Sequence, residues 1–366
     1  MANMNAAPTC ATPELTAFVH AIPKMELHCH LLGTVRKSTF IELVQRAKAP
    51  LALEEIEAFY TRGEKPVGVL RVLRALDEWL LQSPADLQRI TYEYLQDAAD
   101  HNVRYAEFFW NPTGTVQCSG MSYATAQAAI LAGVSDAQKD CGIRGRLVPS
   151  IDREAPAAAA VQMVEWMLTN RHDEVPGIGI DYRENERPPE MFVDAYALAR
   201  NSGLKTTAHA SEFGLPWNNL QTALDVLKVD RIDHGYTVVD NPELAQRCAD
   251  MGMVFTVVPS NSYYLRTLSP ERWALDHPIR RMPSMGIRVH PNTDDPTLHH
   301  IDPTGAWSKM VCDFGFSIDD LKDFMLNGID AAWISDSEKR ALRSQWSAEF
   351  DTLRSTHLSH PSTAQA

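Results

Sequence analysis

Four short clusters carry residues able to bind a metal and move protons. His28 and His30 stand two apart in Met25-Glu26-Leu27-His28-Cys29-His30. Side chains on an extended strand alternate faces, so the two imidazoles point the same way. His209 precedes Glu212 by three positions, His234 follows Asp233, and Asp294 and Asp295 are adjacent in Asn292-Thr293-Asp294-Asp295-Pro296. Any one cluster alone is more often ordinary buried or solvated polar structure than a functional site. Together, three imidazoles and a carboxylate suit a borderline cation such as Zn2+, with one coordination position left for water. Such a metal brings the pKa of water toward neutrality. Glu212 is then a carboxyl that shuttles a proton without being a ligand. His234 is a hydrogen-bonding partner for the water and for developing negative charge. Adjacent Asp294 and Asp295 cannot both point the same way if extended, which leaves one for the metal and one for a substrate.

These clusters fall at the ends of predicted strands. Extended apolar runs are read over Met25–Leu31, Val103–Trp110, Arg144–Ile151, Gly177–Tyr182, Lys205–Ala210, Arg231–His234, Met253–Val258 and Ile287–His290. Helical periodicity fills the intervals. Thr12-Pro13 reads as a helix start, and Gly142, Gly203 and Gly252 close helices. Eight strand-helix units predict an α/β fold, a single (β/α)8 TIM-type barrel whose strand ends share one mouth. A doubly wound open sheet is the competitor, but no Gly-rich phosphate turn follows the first strand. Residues 35–100 hold more helix than one crossover needs, with helices expected at 38–47, 53–60, 67–81 and 85–101. This block is either ordinary packing or a lid over the mouth. Helices also continue from the last strand to about Thr356. The expected organisation is a disordered segment 1–12, one barrel domain 13–356 and a flexible tail 357–366.

Formal net charge is -13, from 47 acidic and 34 basic residues. Nucleic acid and anionic membranes are thereby disfavoured as partners, because both need clustered Lys and Arg. A small neutral substrate is compatible with that charge. Six cysteines in 366 residues, none in a C-x-x-C pair, predict free thiols in a reducing cytoplasm. No signal peptide is read in the first twelve residues. No apolar run approaches the roughly 20 residues of a membrane helix. Oligomeric state cannot be read from the sequence.

At its charged clusters the chain resembles the adenosine deaminase family of the amidohydrolase superfamily. The resemblance runs from about Leu15 to about Arg354. It is carried by Met-Glu-Leu-His-Cys-His-Leu-Leu-Gly-Thr (25–34), Ala-His-Ala-Ser-Glu (208–212), Arg-Ile-Asp-His-Gly (231–235) and Asn-Thr-Asp-Asp-Pro (292–296). Tyr105-Ala106-Glu107-Phe108 and Val258-Pro259-Ser260-Asn261 add weaker matches. The resemblance implies one zinc ion per chain, held by His28, His30, His209 and Asp294. It implies that Glu212 protonates the ring nitrogen beside the amino-bearing carbon. His234 would orient and polarise the attacking water, and Asp294 would take its proton. Asp295 would bind the five-membered ring of a purine, with Gly33 and Glu184 also assigned to substrate binding. The implied reaction replaces the 6-amino group of adenosine or a related adenine compound with a 6-oxo group and releases ammonia. The alternative is a zinc amidohydrolase acting on another aminated or cyclic-amide heterocycle. A catalytically silent relative would be expected to have lost a ligand or the acid, and neither is lost here.

Four positions depart from the family pattern. Leu32 stands where an acid that contacts the sugar is usual. Glu184 and Ser211 each replace a usual glycine, and His290-Pro291 replaces a usual Ser-Leu or Ser-Val. None of them replaces a residue of the expected metal set or Glu212.

Overall fold

Eight strands follow one another in chain order round one sheet, each parallel to its neighbours. The structure, a computed structural model, describes residues 12–61 and 68–358. The strands are β1 (Lys24–Glu26), β2 (Val103–Trp110), β3 (Arg144–Asp152), β4 (Gly177–Asp181), β5 (Lys205–Ala210), β6 (Arg231–His234), β7 (Val254–Val257) and β8 (Arg288–Pro291). Nearly every strand residue is buried, on both faces. Parallel strands show this pattern when helices cover one face and barrel-filling side chains cover the other. The arrangement is the expected (β/α)8 barrel.

Helix ends are set by local chemistry. Thr12 caps Pro13–Ala21 by accepting the Leu15 N–H at 3.2 Å. Ser317 and Asp320 form a reciprocal cap on Ile318–Ala331, each side-chain oxygen accepting the other residue's N–H. Gly142 closes Tyr123–Cys141 at φ 73°, a conformation glycine adopts without penalty.

β8 and β1 share no continuous ladder. The ring closes on that side through one isolated bridge, Cys29 to Asp294, while a second, His30 to Phe109, prolongs the pairing of β1 with β2. The His30 N–H donates to the Asp294 carbonyl at 2.8 Å, and the Asp294 N–H donates to the His28 carbonyl at 3.0 Å. The Leu27 N–H is taken by Oδ1 of Asn292 at 2.8 Å. The first strand is therefore shorter than its apolar run suggested. Beyond Glu26 the backbone divides its hydrogen bonds between β8 and β2, then turns into a 3-10 helix at Leu31–Thr34.

Inside the barrel, Arg231 pairs with Glu107 at 2.7 Å, and its guanidinium lies 4.5 Å over the Trp333 ring. Glu107 also accepts from the Tyr105 hydroxyl and the Trp333 N–H, so this buried ion pair is hydrogen-bonded throughout its carboxylate.

Other differences from the sequence reading are local. A helix at Pro112–Ser119 follows β2, where only the end of the strand was expected. The helix expected over 67–81 is an α-helix at Val69–Ala75 continued by a π-helical turn at Leu76–Leu80, and Val67 lies outside the described residues. The last helix, Asp336–Leu358, runs past the expected start of the tail. Residues 1–11 and 359–366 of the expected disordered ends lie outside the described residues. No helix among the described residues is long and apolar enough to cross a membrane.

Candidate metal centre and active site

Side chains from the C-terminal ends of β1, β5, β6 and β8 meet at one point. Oδ1 of Asp294 lies 3.3 Å from Nε2 of His28 and 3.1 Å from Nε2 of His30. Nε2 of His30 is also 3.1 Å from Nε2 of His209. The His234 ring centre lies 4.5 Å from that of His28 and 4.8 Å from that of His209. His28, His209, His234 and Asp294 each offer a metal-binding atom within 4.8 Å of the other three.

The outer edges of the three expected ligand rings are held by polar partners. Nδ1 of His28 meets the Thr256 hydroxyl at 3.1 Å. Nδ1 of His30 lies 3.1 Å from Oδ2 of Asp181, and Nδ1 of His209 lies 3.4 Å from Oδ2 of Asp233. With Nδ1 so engaged, each Nε2 turns to the centre. Nε2 of His28 is buried there with no hydrogen-bond partner. A buried imidazole nitrogen aimed without a partner at a carboxylate and two other imidazoles is the arrangement a zinc ion requires. The donor set fits that ion.

The backbone at these strand ends is unusual. Tyr182, Ser211, His234 and Asp294 follow or end β4, β5, β6 and β8 with φ of 64°, 57°, 65° and 67°. Left-handed conformations cost a non-glycine residue about 1–3 kcal/mol and cluster where a fold over-determines a functional geometry. Here the turns send the side chains of His234 and Asp294 into the mouth.

Glu212 reaches the same space from the turn after β5. Its carboxylate lies 3.3 Å from Nδ2 of Asn261 and 3.6 Å from Nε2 of His234. Burial pushes its pKa well above the usual carboxylate range, and the charges of Asp294 and Glu184 add to the effect. A carboxyl held protonated is a proton donor. Burial, with His28 and His209 nearby, keeps His234 neutral well below its ordinary pKa. Its Nδ1 lies 3.1 Å from the Tyr236 hydroxyl, whose own hydrogen goes to the Val258 carbonyl. This pattern makes Nδ1 the protonated nitrogen and Nε2 the acceptor. Burial, and then the charge of Asp294, raises the Asp295 carboxyl likewise.

The structure thus brings His28, His30, His209, Glu212, His234, Asp294 and Asp295 together. It places the other two assigned residues differently. Glu184 is buried, and its carboxylate accepts the N–H groups of Ser211 and Glu212. Gly33 lies directly beneath Asp295: a Cβ there would come within 1.9 Å of Oδ1 of Asp295. Neither residue lines the cavity above the metal cluster. Leu32 is buried in the apolar core, and His290 is packed against the carbonyls of Met25 and Phe324. Asp181, Asp233, Thr256 and Asn261, to which the sequence reading gave no role, hold the site's side chains. The available signal was chemical, since a ligating histidine needs a second partner for its outer nitrogen.

The cavity has a volume of about 660 Å³. His30, His209, Glu212, Asp294 and Asp295 form its polar floor, while Val69, Leu70 and Leu73 of the helix Val69–Ala75, with Tyr182, Phe213 and Tyr263, supply an apolar wall. One helix of the block 35–100 therefore faces the site. A polar floor under an apolar and aromatic wall suits a flat heterocycle.

The chain matches the adenosine deaminase family over residues 23–348. A crystal structure of an amidohydrolase from Burkholderia ambifaria with bound zinc is 62% identical, with a TM-score of 0.95 over 97% of this chain and 99% of that one. An adenine deaminase structure from Arthrobacter aurescens is 27% identical, with a TM-score of 0.81 over 90% of this chain and all of that one. The adenine deaminase of Gibberella zeae is 29% identical over 338 residues, which cover 89% of this chain and 94% of that protein.

Proposed function

The chain belongs to the adenosine deaminase family, and on that footing we propose that it is a zinc-dependent hydrolytic deaminase of an adenine compound. It replaces the 6-amino group with a 6-oxo group and releases ammonia. The observation that carries the reading is the convergence of three imidazoles and Asp294 on one point beside the buried carboxyl of Glu212.

His28, His30, His209 and Asp294 would hold the zinc, which when bound lowers the pKa of water and makes a hydroxide nucleophile available near neutrality. Glu212 gives its proton to the ring nitrogen next to the amino-bearing carbon. That carbon then becomes more electrophilic. His234, with Nε2 as an acceptor 3.6 Å from Glu212, orients the attacking water. Asp294 takes the proton of that water and passes it toward the leaving amine. Asp295 hydrogen-bonds the five-membered ring, and a protonated carboxyl there donates to an unprotonated ring nitrogen.

The substrate is a purine-type small molecule. Leu32 offers no acceptor where the family pattern has a sugar-binding acid. Adenine itself is therefore the first compound to test, as it is for the relatives named adenine deaminases. The free Cys29, Cys118, Cys141, Cys248 and Cys312 support a cytoplasmic setting, and 13–356 is read as one domain.

The test is Glu212→Gln assayed for ammonia release from adenine, adenosine, deoxyadenosine, AMP and N6-substituted adenines, with zinc content measured. Loss of about 10²–10⁴-fold in turnover at full zinc occupancy is expected. Wild-type turnover in the variant overturns the mechanism, and a ring-opened product overturns the deaminase reading in favour of an amidohydrolase.

A further inference from the structure

Every hydrogen-bond partner found for the Glu184 carboxylate belongs to the segment that carries Glu212. Oε1 accepts the Ser211 N–H at 2.8 Å and the Asn219 side-chain amide at 2.8 Å. Oε2 accepts the Glu212 N–H at 3.2 Å. The side chain is 1% exposed and does not line the cavity. It starts from the loop after β4 and ends on the turn after β5, so it ties two consecutive strand ends together.

That turn needs support. Ser211 sits at φ 57°, a conformation that glycine adopts freely and serine does not. Its hydroxyl donates to the Pro216 carbonyl at 3.2 Å. The next residue, Glu212, is then held from two sides. Its N–H is fixed by Glu184, and its carboxylate is met by Asn261 at 3.3 Å.

We propose that Glu184 is a positioning residue for Glu212: it locks the Ser211–Glu212 turn so that the proton-donating carboxyl stays beside His234, and it does not touch the substrate. The proposal rests on the deaminase reading for the role of Glu212. A buried acceptor pair that takes two successive backbone N–H groups is a rigid clamp, and Ser211 and Glu184 work as a matched pair. Glycine at 211 would hold the turn with less help from the clamp.

The experiment compares Glu184→Gln, Glu184→Ala and the double variant Glu184→Ala/Ser211→Gly with the full-length wild type. Three quantities are read: kcat and KM for ammonia release, zinc content, and amide hydrogen exchange across residues 210–215. In the single variants kcat should fall by about 10–100-fold, the scale of a misplacement near 1 Å. KM should stay within about threefold and zinc content should be unchanged. Exchange at Ser211 and Glu212 should accelerate by about tenfold. Ser211→Gly should return part of the lost kcat to Glu184→Ala. A raised KM with kcat retained overturns the proposal and makes Glu184 a substrate contact. Parallel loss of zinc makes its role purely structural and likewise overturns it. If the wild type releases ammonia from no adenine compound, the deaminase reading falls first. In that case exchange alone decides: faster exchange in Glu184→Gln upholds the clamp, and unaltered exchange overturns it.

Discussion

Oδ2 of Asp181 lies 3.1 Å from Nδ1 of His30, on the edge of the ring opposite the metal cluster. Oδ1 of the same carboxylate takes the Asn111 amide at 2.6 Å, so its orientation is fixed. Asp181 therefore sets which nitrogen of His30 faces Asp294.

Asp181→Asn keeps the shape and removes the charge. Zinc affinity should fall by about 10–100-fold, as is usual when the carboxylate behind a ligating histidine is lost. Competition with a chromophoric chelator measures it directly. Asp233→Asn should behave similarly, because Asp233 faces His209 and accepts the Thr207 and Thr256 hydroxyls. Wild-type affinity in both variants would mean that the outer carboxylates do not tune the site.

Gly33→Ala tests the floor of the cavity. The new Cβ would meet Oδ1 of Asp295 at 1.9 Å and its Cβ at 2.7 Å, so Asp295 has to move. Overpacking of this kind costs about 1–3 kcal/mol. The midpoint of thermal unfolding should drop, and KM for the purine should rise. An unchanged KM would separate Asp295 from substrate binding.

Asp77 gives a pH signature. It is buried, its Oδ1 accepts from the Thr115 hydroxyl at 2.9 Å, and its Oδ2 has no partner. Burial raises its pKa to about 7. The folded state therefore binds more protons here than the unfolded chain does between pH about 4 and about 7. Stability from this group is fully present below about pH 4 and is lost as pH rises through about 7. Asp77→Asn should raise stability at pH 8, by up to a few kcal/mol, and leave it little changed near pH 4. Denaturant titrations at the two pH values decide, and an equal effect at both would be contrary to the expectation.

Metal removal should destabilise as well as inactivate. Free zinc at about 1,000 times its Kd stabilises a folded site by about 4 kcal/mol. The chelated protein should therefore melt earlier and recover both melting point and activity on adding zinc, but not magnesium. Equal melting points with and without zinc would show that the cluster folds independently of the ion.

Much of this site was legible in the sequence because its signals are local. His28 and His30 share a face through the two-residue period of an extended chain, and the other clusters sit at ends of runs that alternate with helices. What was not legible depends on long-range contact. Glu184 reads as a pocket residue by its position in a motif, yet its carboxylate turns to Ser211 and Glu212. Gly33 reads as a substrate contact, yet its lack of a side chain makes room for Asp295. β1 reads as seven residues by its apolar pattern and forms a ladder over only three, since beyond Glu26 its partners are divided between two neighbours.

The seam between β8 and β1 gives the site an order of assembly. Asp294 joins the backbone of His28 and His30 and also faces both imidazoles. Barrel closure and completion of the metal cluster thus depend on the same residues, which lie far apart in the sequence. A ribosome-bound chain that has not yet released residue 294 holds its three histidine ligands without the carboxylate that completes them. A chain shortened before Asp294 loses its closure and its chemistry together.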